Sequence, residues 1–395
     1  MTTLQHAITT LETLVAFDTV SHNSNRALIE WAANRIEDAG GEVMIQDGDE
    51  PGKANLYATI GPRDLPGIML SGHSDVVPVA GQDWTSDPFK LTERGDRLLA
   101  RGSADMKGFI ACVLESIPHF NAQPLKTPIH IAMSYNEESN MHGMKLLAKH
   151  FEAAKIKPLA CVIGEPTLMK VVVANKGAAI YRVNVRGFEI HSSLRNQGIS
   201  AVEMAAEIIV FINRLQTDLK AAASNDGFEF PYTSVHCGKI QGGTAHNITT
   251  RDCEFVFEVR ALPGVKTSFV VDQIKAFTEQ LTAQMRLVSD QCSISITEIV
   301  DSPSLDERGN VYLAQAIVPL CKSDGVGRVS FGTEAGILQE AGVPTIVCGP
   351  GEIRVAHQPD EYVEKSQLAS CMVFLKALAN QAATAGGSAF SKGPA

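Results

Sequence analysis

What the chain lacks narrows its function first. No apolar run approaches the roughly 18 residues that cross a bilayer, and the first residues carry no basic segment followed by an apolar core, so neither membrane insertion nor export is expected. Lys and Arg are nowhere clustered, and the net charge is −10. The basic footprint that nucleic acid or an anionic membrane demands is therefore missing. Eight cysteines, at 112, 161, 237, 253, 292, 321, 348 and 371, include no Cys-x-x-Cys pair. Most stand in apolar surroundings such as Cys161-Val162-Ile163, so reduced, buried thiols in a cytoplasmic protein are expected. There is no P-loop, no G-x-G-x-x-G after a strand, no H-E-x-x-H and no G-x-S-x-G, which leaves nucleotide, zincin and serine-hydrolase chemistry without a motif. Tandem repeats are absent too.

What is present is an ordinary globular composition, 45% hydrophobic and 20% charged over 395 residues, long enough for two domains. Leu4, Ile8, Leu11, Leu14 and Val15 recur at helical spacing, and a second helix is expected from about Arg26 to Ala39, with Ser24 or Asn25 as cap and Gly40 as stop. Strand-like runs at Glu42 to Gln46, Asn55 to Ile60, Ile68 to Leu70, Ile129 to Ser134 and Leu159 to Ile163 are interleaved with helical segments near Gly108 to Phe120 and Gly143 to Ala154. Such alternation predicts an α/β domain with ligands at strand ends. The pattern changes near Asn175-Lys176-Gly177. Strands at Ala179 to Val185, Cys253 to Val259 and Ile294 to Ile299, with amphipathic helices at Ile199 to Leu215 and Ser268 to Val288, predict a small α+β sandwich over 179–300, inserted into a first domain of 1–178 and 301–395. A helix from about Asn310 to Cys321, a strand at Thr345 to Val347 and a helix from Lys365 to Ala379 resume the first pattern. The small-residue tail Ala385 to Ala395 reads as disordered.

Five residues with zinc-ligand chemistry, His73, Asp105, Glu138, Glu165 and His357, stand in short polar and glycine-containing segments after apolar runs. Together they can hold two metal ions. Asp75, two residues after His73, is placed to accept the second ring N–H and fix the tautomer. Glu137 and Glu138 are adjacent carboxylates, one able to bind metal while the other moves protons. Any one of these motifs alone could be a surface turn; it is the set that points to a centre.

His73-Ser74-Asp75, Gly102-Ser103-Ala104-Asp105-Met106-Lys107-Gly108, Glu137-Glu138, Gly164-Glu165-Pro166-Thr167 and Ala356-His357-Gln358-Pro359-Asp360-Glu361 resemble, in order, the metal motifs of the acetylornithine deacetylase, succinyl-diaminopimelate desuccinylase and carboxypeptidase G family of di-zinc amidohydrolases. The resemblance implies a zinc-peptidase-like domain with a mixed sheet flanked by helices, and an inserted domain serving as lid and dimerisation surface. It implies two zinc ions per chain, with cobalt or manganese as substitutes. By the same resemblance Asp105 is the candidate to bridge them, His73 and Glu165 to complete one site and Glu138 and His357 the other, Glu137 to be the general base, and the Asp105-Met106 peptide to be cis. In the inserted domain, His191 resembles the histidine that helps bind the scissile carbonyl in the partner subunit of a homodimer; the plain alternative is a strand-end surface residue. Asn247, Arg260, Gly332 and Thr333 match the substrate region, although Arg260 could instead tie strands together and Gly332-Thr333 could be a helix cap. Phe17 to Ser21, Phe331 to Gly336 and Gly349 to Glu352 are most similar to the branch acting on N-acetyl-L-ornithine in arginine biosynthesis. Related N-acyl-amino-acid deacylases, desuccinylases, dipeptidases and a catalytically dead amino-acid-binding relative remain the alternatives. Two departures stand out: Ser139-Asn140-Met141-His142 in place of a small, glycine-rich turn, and Asn136 where Asp is usual. His142 is the one other histidine close to the ligand set.

Overall fold

The apolar stripes of the first two helices turn inward, as their spacing requires. The computed structural model describes residues 3–153, 157–222 and 224–391. Helix α1 (Thr3–Ala16) buries Ala7, Leu11, Leu14 and Val15, and α2 (Arg26–Asp38) buries Leu28, Ile29, Ala32 and Ile36. The chain leaves α2 at Gly40, whose φ of +85° suits a residue without Cβ. Ser24 Oγ, rather than the Asn25 side chain, takes the Arg26 N–H (3.2 Å). Asn25 faces inward and pairs with both backbone groups of Ala54 (2.8 and 2.9 Å).

The chain continues through β1 (Glu42–Asp47), β2 (Ala54–Ile60), β3 (Ile68–His73), the short β4 (Thr92–Arg94) and β5 (Arg97–Leu99), α3 (Gly108–Asn121), β6 (Ile129–Ser134), α4 (His142–Ala153), β7 (Ala160–Pro166) and β8 (Val171–Asn175). Next come β9 (Gly177–Arg186), α5 (Ala201–Ala222), β10 (Ser234–Gly242), β11 (Asp252–Ala261), α6 (Thr267–Arg286) and β12 (Ser293–Ser302). The last elements are α7 (Val311–Cys321), β13 (Val326–Val329), α8 (Ala335–Glu340), β14 (Thr345–Gly349), β15 (Tyr362–Glu364) and α9 (Lys365–Thr384). Two compact units result: residues up to Ala174 with Leu305–Arg328 and everything from Thr333 on, and Asn175–Ser304 with Val329–Gly332. The second unit thus extends beyond 179–300 at both ends and takes in a short distant segment.

The first unit is a mixed eight-stranded sheet in the order β1-β2-β6-β3-β7-β14-β8-β13. Its centre, β6, β3, β7 and β14, runs parallel. Every residue of those four strands is buried, the signature of a parallel core covered on both faces. Their carboxyl ends therefore lie side by side. A second, three-stranded sheet joins β15, β5 and β4. The other unit is one antiparallel sheet, β10-β11-β9-β12, whose inward residues Tyr181, Val183, Phe255 and Phe257 pack with Ile208 and Ile212 of α5 and Val270 and Ile274 of α6. No described helix is long and apolar enough to cross a membrane.

Several expectations need correction. Strands β8, β10 and β13, the small sheet and α8 add to the expected elements: β8 is a short, wholly buried apolar run, β10 is mostly exposed, and the small-sheet strands are three residues each. Strand β7 continues past Ile163, so Glu165 is a strand residue and not part of the following loop. The tail is ordered as far as Ser391: Gly386–Ala389 make a helical turn and Phe390 is fully buried, because one aromatic side chain is enough to anchor a small-residue tail. Ala154 and residues 392–395 lie outside the described residues.

Candidate metal centre

Parallel strands deliver the carboxyl-terminal edge at which α/β sheets build sites. His73 is the last residue of β3, Glu165 is near the end of β7, and Glu137 and Glu138 follow β6 by three and four residues. His357 comes from the segment after β14. Asp105 lies in the tight turn Ser103–Lys107 that opens α3, and its peptide with Met106 is cis.

Asp105 stands at the centre. Its Oδ1 is 2.9 Å from His73 Nε2, and its Oδ2 is 3.4 Å from His357 Nε2. His73 Nε2 is also 3.7 Å from Glu165 Oε1, and His357 Nε2 is 3.0 Å from Glu138 Oε1. The donor atoms of His73, Asp105 and Glu138 lie within 4.8 Å of one another, and so do those of His73, Glu137 and Glu165. Apart from His357, which is half exposed, these side chains are buried.

The expected partner of the His73 ring is not the one found. His73 Nδ1 meets the backbone carbonyl of Asp75 at 2.9 Å, while the Asp75 carboxylate is 3.7 Å away. A carbonyl only accepts, so Nδ1 carries a proton and leaves Nε2 for the carboxylates: in the metal-free protein it donates to Asp105, and a cation would take the place of that proton. The Asp75 carboxylate instead accepts the backbone N–H groups of Glu137 (3.0 Å) and Glu138 (3.3 Å) and the Ser21 hydroxyl (2.6 Å). Its effect is to hold the turn that presents both glutamates.

Several acceptors now converge where a proton or a cation has to sit. Burial pushes the Glu137 and Glu165 carboxyls well above their usual range, with the neighbouring carboxylates adding to it against the pull of His73. Glu138 is raised for the same first reason, and next by Asp105. Burial opposes charge on His73 as well, but Asp105, Glu165 and Glu137 outweigh it and hold the imidazole well above its ordinary value. His357, bonded to Asp105 and Glu138, rises to about 10. Asp105 is held below its usual value because hydrogen bonds from His357 and His73 overcome its burial. Imidazole nitrogens and carboxylate oxygens in this proportion are the donor set of zinc-class divalent ions.

Two groups nearby escaped the sequence reading. Glu334 is buried just before α8, takes a hydrogen bond from Ser134 (2.9 Å) on one oxygen, leaves the other unpartnered, and is raised by burial to about 7. Glu361 and Arg101 form a buried ion pair behind the Asp105 turn (2.6 Å). The signal available was a Glu inside the motifs Phe331 to Gly336 and Ala356 to Glu361, and an Arg just before the Gly102 motif, but nothing local says that these are buried.

The remaining expected residues fall as follows. Thr333 is buried in the first unit, and its hydroxyl accepts the N–H of Ala335, the first residue of α8. In the second unit the segment carrying His191 runs beside Asn247, with Ser192 N–H bonded to the Asn247 carbonyl (2.9 Å). His191 is exposed, and its Nδ1 accepts the Ser193 N–H (3.2 Å). Arg260 pairs with Glu258 on its own strand (3.0 Å) and not across strands. It also lies close to Gly332: a Cβ there would be 3.5 Å from its Nη1 and 2.9 Å from Ala178 Cβ. His142 starts α4, its Nε2 3.4 Å from Asp49.

Residues 69–381 match the model of peptidase family M20/M25/M40. The chain belongs to that family. It is 36% identical over 371 residues to an acetylornithine deacetylase of Myxococcus xanthus (93% of this chain, 94% of that protein), and 35% identical over 341 residues to one of Aliivibrio fischeri (86% and 87%). Among solved structures, an M20 metallo-carboxypeptidase of Sulfolobus solfataricus superposes with a TM-score of 0.75 at 16% identity, covering 95% of this chain and 99% of the other. A dinuclear metal-binding M20 peptidase of Bacillus subtilis gives 0.64 at 15%, covering 97% and 99%. These last two show the fold. This M20 chain is accordingly a metal-dependent hydrolase of amide bonds.

Proposed function

We propose that the chain deacylates an N-acyl amino acid, with N-acetyl-L-ornithine as substrate and L-ornithine and acetate as products, a step of arginine biosynthesis in the cytoplasm. The observation that supports a two-ion centre is Asp105, each of whose oxygens faces a different histidine, at 2.9 and 3.4 Å. In this reading His73 and Glu165 would hold one ion and Glu138 and His357 the other, with Asp105 available to both; the ions would be zinc, with cobalt or manganese able to replace it. When bound, such a pair polarises the scissile carbonyl and lowers the pKa of a water to about 7.

Glu137 is the general base. It takes the proton of the attacking water and returns it to the leaving amine, a transfer open to a carboxylate that is not itself committed to metal. Asp75 keeps Glu137 in place through the backbone. The second unit dimerises, and His191 donates to the developing oxyanion in the partner subunit. Arg260 offers its guanidinium fork to the α-carboxylate of the substrate, with Asn247, Gly332 and Thr333 completing the amino-acid site. Support for the acetylornithine choice comes from the names of the relatives at 35 to 36% identity.

A panel of acetyl, formyl and succinyl derivatives of ornithine, methionine and diaminopimelate tests the reading. N-acetyl-L-ornithine is expected to have the highest kcat/KM. Equal or better hydrolysis of succinyl-diaminopimelate would overturn the substrate, and no hydrolysis of any member by protein carrying two zinc ions would overturn the reaction.

A further inference from the structure

His357 belongs to a loop whose backbone is not relaxed. His357 and Asp360 have φ of +63° and +55°, a region that non-glycine residues rarely occupy unless neighbours hold them there. The neighbours are identifiable and all belong to the first unit. Thr85 donates its backbone N–H and its hydroxyl to the Asp360 carboxylate (2.9 and 2.7 Å). Gln82 donates Nε2 to the carbonyl of His357 itself (2.8 Å). The orientation of that amide is forced: its Oε1 faces Arg101 Nη2 (2.6 Å) and Trp84 Nε1 (3.0 Å), and both of those groups only donate. Arg101 Nη1 then bonds Glu361 Oε2 (2.6 Å), and Glu361 Oε1 accepts the backbone N–H groups of Ala104 (3.0 Å) and of Asp105 (3.1 Å).

One unbroken path of hydrogen bonds thus runs from the backbone of His357 through Gln82, Arg101 and Glu361 to the backbone of Asp105. Arg101 and Glu361 are each 1% exposed, and the guanidinium lies over the Trp84 ring at 5.0 Å. Stability is a weak reason to bury such a pair, since apolar residues of the same volume do as well or better. What the pair does supply is a fixed separation between two loops that hydrophobic contact alone would let slide. We propose that Glu361, acting through Arg101 and Gln82, is a positioning residue that sets His357 against Asp105 and thereby the affinity of the Glu138–His357 ion site. The proposal rests on the two-ion reading above. None of the three side chains is itself one of the five proposed ligands.

The test reads metal rather than turnover: zinc bound per chain is measured by elemental analysis after equilibrium dialysis across a range of free zinc, for wild type, His357→Ala, Glu361→Gln, Gln82→Ala and the double variant Glu361→Gln/His357→Ala. Wild type is expected to bind two ions. Glu361→Gln and Gln82→Ala should keep the first affinity and weaken the second about tenfold to a hundredfold, the usual size of an outer-shell effect. The double variant should bind no worse than His357→Ala, because both changes act on one site. Glu361→Gln leaves the Arg101 charge buried without its partner; should that variant not fold, Gln82→Ala, at a half-buried residue outside the ion pair, decides. If His357→Ala still holds two ions with wild-type affinity, the two-ion reading falls and this inference with it. If His357→Ala loses an ion while Gln82→Ala and Glu361→Gln keep both affinities, or if these variants weaken both sites alike, the positioning role alone is overturned.

Discussion

Glu137 and Glu138 are neighbours on one turn, yet their surroundings differ, in line with the different tasks proposed for them. Glu138 reaches His357 at 3.0 Å, whereas Glu137 is grouped with His73 and Glu165 and has no direct histidine hydrogen bond. If Glu137 is the base, replacing it by Gln keeps the shape and removes that function, so turnover should fall by about 10² to 10⁴ with the metal content nearly unchanged. Glu138→Gln should lose metal first. Elemental analysis beside kcat/KM separates the two, and the opposite pattern would exchange their roles. Glu334 carries a pH prediction for the metal-free protein. Its folded value of about 7 lies above the 4.5 of an ordinary glutamate, so the folded state holds this proton more tightly than the unfolded state does. The resulting stabilisation is fully present below about pH 4.5 and is lost as pH rises through about 7. Glu334→Gln, whose amide oxygen can still accept from Ser134, should therefore stabilise the metal-free chain at about pH 8 relative to about pH 5, by up to roughly 3 kcal/mol. Urea midpoints at the two pH values read the effect; an unchanged difference between wild type and variant would refute it.

Strand β7 and helix α3 press together one residue before Glu165. Gly164 is a glycine because of that approach: a Cβ built on it would lie 2.0 Å from Phe109 Cγ, inside the ring of a side chain that is itself 1% exposed. Gly164→Ala should destabilise the protein by about 3 kcal/mol or more, beyond the ordinary cost of overpacking, since neither the strand nor the helix can move without disturbing Glu165 or the Asp105 turn. Chemical unfolding checks this. A loss under about 1 kcal/mol would mean that Phe109 swings aside freely. The motif Gly164-Glu165 thus reads as packing followed by chemistry in consecutive residues. Continuous apolar runs made the core strands of the first unit legible, because strands covered on both faces keep no polar positions, whereas alternation did so in the second unit, where burial on one face leaves a period of two in the sequence. It could not reveal β10, which is mostly exposed, nor the three-residue strands, which are too short to show a period and one of which, β15, pairs with a strand far back along the chain.

The division into two units bears on how the whole molecule would work. If the second unit dimerises and its His191 serves the partner's centre, a monomer is incomplete, and two inactive variants should repair one another. Mixing Glu137→Gln with His191→Ala under subunit exchange should restore activity, since one centre of each heterodimer then has both an intact base and an intact partner histidine. Exchange without recovery would count against action across subunits, and full activity of His191→Ala alone would remove the residue from the mechanism. A positioned donor to an oxyanion is worth about 10² to 10³ in kcat, so the loss in the single variant is readily measured.

The sequence by itself determined the types of donor at the centre, their order along the chain, the α/β character of the first unit and the glutamate pair, because these depend on residue chemistry and on periodicities a few residues long. Only the tertiary structure decided that the Asp75 carboxylate holds the Glu137 turn and leaves the His73 ring to the Asp75 carbonyl, that Asp105 faces one histidine with each oxygen, that Glu334 and Glu361 are buried, and that Phe390 anchors the tail. The physical reason is range. A hydrogen bond such as Ser134 to Glu334 or Arg101 to Glu361 joins residues 200 and 260 positions apart, and the burial that gives such a bond its strength is a property of packing that no local pattern records.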